Sequence, residues 1–177
     1  MRIGRGLWLA AFLAASAMVT IGKADPARAE HATVVSTIAG DDFRAEVRVV
    51  DGVIVYDLAF AGPESVSAFV ARQFLVEMAT FPDLTAYTEV DLAYRGKVRF
   101  RIYVGDLKPL ADMYQLGEME AFHRLMKLPS IVQTLDGKYA FSTWGDDSIS
   151  SLAGRAEDFN KMVGHWYLDE LTSSSGG

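Results

Sequence analysis

Cysteine is absent from all 177 residues. That excludes a disulfide framework, thiol chemistry and a lipid-modified cysteine behind a leader, so the fold must stand on its apolar core. Histidine is scarce, and nothing in the spacing of His31, His123 and His165 gathers them into a ligand set. The chain also lacks G-x-S-x-G, H-E-x-x-H, G-x-G-x-x-G and the phosphate-loop pattern, which removes the familiar nucleophile, zinc and nucleotide signatures. Hydrolases built on two carboxylates leave no fixed local spacing, so that class stays open as an alternative. Repeats of supersecondary length are missing too, since the Gly-Asp-Asp at 40–42 and 145–147 is too short to mark a duplication.

Long apolar runs are almost as rare. The one example, GLWLAAFLAASAMVTIG at 6–22, lies behind Arg2 and Arg5 and ahead of the small-x-small triplet Ala27-Arg28-Ala29. This order reads as a secretory signal peptide cut after Ala29, and seventeen residues are at the lower limit for spanning a bilayer. Residues 1–29 hold four of the 17 Lys/Arg and one of the 23 Asp/Glu, leaving 13 basic and 22 acidic residues and a formal net charge of −9. An acidic surface disfavours nonspecific attraction to nucleic acid or anionic lipid, so neither is expected as a partner. The expected product is a periplasmic or secreted protein that touches the membrane only through its leader.

Beyond residue 29 the chain is rich enough in aliphatic and aromatic residues for one ordinary domain. We expect a flexible lead-in at 30–40, a globular domain at 41–171 and the polar tail TSSSGG at 172–177. In FRAEVRVVDGVIVYDLAF, Asp51-Gly52 is the dipeptide preferred by a two-residue type I′ hairpin. Counting outward pairs Val49 with Ile54, Val47 with Tyr56, Ala45 with Leu58 and Phe43 with Phe60 on the core face, and leaves Arg44, Glu46, Arg48 and Asp57 outside. From 63 to 80, Val66, Phe69, Val70, Phe74 and Met78 recur at helical spacing, and Phe81-Pro82 ends the run.

A second strand pair is expected at 84–94 and 98–104. A three-residue loop, Arg95-Gly96-Lys97, sets Tyr94 against Val98, Leu92 against Phe100 and Val90 against Ile102, all facing the core. The basic row Lys97, Arg99, Arg101 then loses its phosphate-binding appearance, because Asp91 faces Arg101 and Glu89 faces Tyr103 on the outer side. Two short helices broken at Gly117, a fifth strand at 138–142 and a helix at 155–171 with the stripe Phe159, Met162, Val163, Trp166 complete the order ββαββααβα. This is an α+β domain, a single antiparallel or mixed sheet with helices on one face.

Arg99, Arg101, Tyr87 and Tyr103 form the candidate surface for a protein partner or small ligand, since arginine beside tyrosine is what binding surfaces are enriched in. Met119, His123 and Met126 share one helical face and are the soft donor set that copper(I) would choose, although a buried helix face shows the same stripe. Glu120 with His123 lacks the second copy a di-metal bundle needs, and Trp144–Ser148 lacks the ligand spacing of a calcium loop. His165 with Asp169 one turn later is the remaining acid–base pair, equally well explained as a surface contact. No cofactor is implied. The expectation is a non-enzymatic envelope binding protein, with metal handling or motif-free hydrolysis as alternatives.

Overall fold

A computed structural model of the chain describes residues 33–40, 43–62, 67–113, 123–141 and 149–168. Strands β1 (Thr33–Gly40), β2 (Phe43–Val50), β3 (Val53–Ala61), β4 (Glu89–Tyr94), β5 (Lys97–Tyr103) and β6 (Val132–Gln133) make one sheet in chain order. Every neighbouring pair is antiparallel except β3 and β4, which run parallel. Parallel neighbours cannot be joined by a tight turn, and the crossover is supplied by helix α1 (Ser67–Thr80). Helix α2 (Val104–Met113) follows β5 directly, and α3 (Ile149–Val163) continues into a π-helical turn at Gly164–Leu168. The result is the expected α+β domain with one mixed sheet.

Helices α1, α2 and α3 turn their apolar stripes to the same side. Val70, Phe74 and Met78 of α1, Leu107 and Leu110 of α2, and Phe159, Met162, Val163 and Trp166 at the end of the chain join one core with Val47, Ile54, Tyr56, Leu92 and Ile102 of the strands. Trp166 is the keystone. Its ring meets Tyr56 and Phe74, and its indole N–H donates to the Ala93 carbonyl at 3.0 Å, so burial leaves its one polar group satisfied.

Several local expectations are corrected. Part of the lead-in is the strand β1, because Thr33, Val34, Val35, Thr37 and Ile38 are β-branched and Ile38 packs on the core. The strand expected from residue 84 starts at Glu89, since Asp83 is left-handed at φ 51° and Leu84–Ala86 close a 3₁₀ turn. At 138–141 only Tyr139 is bridged, to Gln133, residue 142 lies outside the described residues, and the last strand among the described residues is Val132–Gln133. Phe69, placed on the α1 core stripe by its spacing, is 42% exposed and meets Phe43 edge-on from the flank. The last helix begins at Ile149 rather than 155. Of the two short helices, the first is α2; of the second, expected over 118–129, residues 118–122 lie outside the described residues, 123–125 are helical and a 3₁₀ helix follows at Leu128–Ile131.

Both hairpins turn on two residues in left-handed conformations, Asp51-Gly52 and Arg95-Gly96, with φ near 50° and 79° in each. The first follows the expected register through Ala45↔Leu58. A bulge then sets Arg44 against Phe60 and Phe43 against Ala61, so Ala61 enters the core and Phe60 is turned outward. The second hairpin keeps the expected pairs Glu89↔Tyr103, Val90↔Ile102, Asp91↔Arg101 and Leu92↔Phe100. It reaches them by a different route, with Tyr94↔Lys97 and Ala93↔Val98 beside the turn and the extra residue absorbed at Arg99. The type I′ geometry suits the right-handed strand twist, and the bulge restores the parity that the core requires.

Candidate functional site

The sheet face away from the helices carries two compact ion-pair groups. Arg101 donates from Nε to Asp91 at 2.8 Å and from a second guanidinium nitrogen at 3.2 Å, and meets Glu89 at 3.0 Å. The hydrogen bond to Asp91 and the neighbouring carboxylates raise the guanidinium pKa above its already high value, so Arg101 is a saturated cation. Arg48 meets Asp57 at 2.7 Å, and the other Asp57 oxygen accepts the Gly96 N–H at 3.0 Å. Asp57 therefore docks the β4–β5 turn onto β3, which the Arg95 N–H reinforces by donating to the Leu58 carbonyl at 3.1 Å.

The residues expected to form the binding surface do not gather into one. Arg101 is committed to its two acids, and Arg99 is half-buried at the bulge. Tyr103 is 42% exposed, opposite Glu89 at the far end of the strand. Tyr87 leaves the face altogether, because the 3₁₀ turn before β4 swings it against Phe81, where the rings meet edge-on at 5.7 Å. The metal set is not assembled either. Met126 is buried in the core while His123 is exposed, and Met119 lies outside the described residues. Among the described residues no three His, Cys, Asp or Glu side chains are grouped to hold a metal ion. His165 is exposed, and Asp169 and the Trp144–Ser148 loop lie outside the described residues.

A different pair does meet. At the end of the sheet where β3 and β4 finish, Phe60 is 41% exposed, with Arg44 as its cross-strand partner. Arg95 is anchored one residue before Ala59, its guanidinium lying 5.0 Å over the Tyr94 ring, and Lys97 stands opposite Tyr94. Arg44, Arg95 and Lys97 are exposed and make no ion pair among the described residues. An acidic chain thus places Arg44 beside a solvent-facing phenylalanine on the outer face, while Arg95 and Lys97 share that end of the sheet but go with Tyr94, whose ring faces the helices. This end of the sheet offers charge, a flat apolar contact and, through the Arg95–Tyr94 stack, a pre-ordered guanidinium.

Phe60 had a readable signal. In Leu58-Ala59-Phe60-Ala61 four apolar residues run without alternation, so either Phe60 or Ala61 could satisfy the core, and the bulge selects Ala61. No protein-family model, curated protein or solved structure matches this chain.

Proposed function

We propose that this is an exported, non-catalytic binding protein whose recognition site is centred on Phe60 and Arg44, at the end of the sheet that also carries Arg95 and Lys97. The leader-like residues 1–29 support export, and the absence of cysteine suits a fold that needs no oxidative maturation. The observation that carries the reading is Phe60, an aromatic side chain turned into solvent by a β-bulge beside Arg44, which makes no ion pair among the described residues. Bulges commonly re-aim side chains at functional positions, and arginine with an aromatic anchor is the composition of binding hot spots. The favoured partner is a protein presenting an acidic segment with an apolar residue to enter beside Phe60. The test is capture from envelope extracts by the tagged protein and by a Phe60→Ser/Arg44→Glu variant. A partner retained by the first and lost by the second, at equal thermal stability, supports the site; identical profiles overturn it.

A further inference from the structure

A second interface is carried by a different part of the sheet and does not depend on the corner around Phe60. The two sheet edges are unlike. At one, β6 is two residues long and is folded over by the following turn, in which the Thr134 N–H donates to Lys138 O, the Ala140 N–H donates to Val132 O, and Tyr139 bridges Gln133. At the other, β1 is eight residues long and has no strand beyond it among the described residues. A long edge leaves a row of backbone donors and acceptors ready for another strand unless charge or proline blunts it. The segment TVVSTIAG contains neither, whereas β2, β3, β4 and β5 each carry charged residues. Val34 and Val35 are 52% and 42% exposed.

We infer that β1 pairs with β1 of a second copy of this chain, antiparallel about a two-fold axis through Thr37. Face parity allows an axis at Ser36, Thr37 or Ile38, and of these Thr37 alone pairs the strand over its full length from Thr33 to Gly40. Pairing with β2 places Val34, Thr37 and Ala39 on the outer side and Thr33, Ser36, Ile38 and Gly40 on the inner side, with Val35 the extra residue of a bulge. An axis at Thr37 sets Ser36 against Ile38 of the other copy. The bulge then brings Val34 against Ala39 and Thr33 against Gly40, so every pair joins residues of like face. A strand offset by one residue would put each inner side chain opposite an outer one. Thr37 meets its own twin, a favourable cross-strand pair, and no charge is brought against its copy, which a self-paired strand must avoid in an acidic protein. On the inner side Ser36 donates to Glu77 of α1, so the helix closes that flank and leaves only the edge for pairing. One strand edge buries less than a standard interface, so the dimer is weak and concentration-dependent.

Sedimentation equilibrium of the protein, purified as the cell makes it, over micromolar to millimolar concentrations tests this. The expected result is a reversible monomer–dimer equilibrium. Thr37→Lys and Thr37→Glu, at an exposed outer-face position, should each be folded by circular dichroism and monomeric, because the axis sets like charges face to face. An equimolar mixture of the two should recover a heterodimer at least as tight as the unsubstituted dimer. A protein that stays monomeric at millimolar concentration, a Thr37→Lys variant that still self-associates, or a mixture that stays monomeric overturns the assignment.

Discussion

Asp57 is the residue on which the outer half of the sheet turns. Its carboxylate is almost buried, accepts from Arg48 and caps the Gly96 N–H, so removing it leaves Arg48 only Glu46 at 4.0 Å and orphans a backbone donor. Asp57→Ala should cost about 2 kcal/mol in urea denaturation, and Asp57→Asn less, because an amide oxygen can still accept from Gly96. The tyrosines set a second residue-scale expectation. Burial, with Glu77 nearby, pushes the Tyr56 phenol far above its ordinary value of 10.0, and burial raises Tyr167 as well. A folded-state pKa above the unfolded one means that the unfolded chain loses these protons first. Stability is therefore complete below pH 10.0 and declines as pH rises beyond it. Ultraviolet titration should show part of the phenolate signal appearing only with alkaline unfolding; full ionisation of a still folded protein would contradict this.

At the scale of elements, the hairpins show which features can be read in advance. Asp51-Gly52 and period-two alternation fixed three of the four core pairs of the first hairpin, because turn chemistry and face parity are local. The bulges beside Phe60 and at Arg99 were not legible: the residues there leave open which neighbour faces in, and the choice is made by what packs across the layer. The edge strand β1 was missed for a similar reason, since its only described strand partner is β2 and its role is visible only once the sheet is assembled. Gly96 carries a checkable consequence. It sits at φ 79° with open space where a Cβ would stand, so Gly96→Ala should cost about 1 kcal/mol from backbone strain alone, read as a lower urea midpoint with unchanged slope.

Across the whole molecule, charge is distributed unevenly. The formal net charge of the chain is −6, yet Arg44, Arg95 and Lys97 collect at the end of the sheet that carries Phe60. Little of this site could be read from the sequence. Lys97, Arg99 and Arg101 attracted notice because they alternate within one strand, whereas Arg44, Phe60 and Arg95 come from three segments that meet only after α1 has carried the chain across. Adjacency in sequence drew attention to Arg101, which folding then neutralised against Asp91 and Glu89. The account stands on whether the corner meets a partner in the cell, and photo-crosslinking reads that directly. A photoreactive residue at position 60 should yield one discrete adduct in living cells, lost when Arg44→Glu is added and absent when the probe is moved to exposed Tyr139. Equal adducts from both positions, or an adduct at 60 that is indifferent to Arg44→Glu, would contradict it.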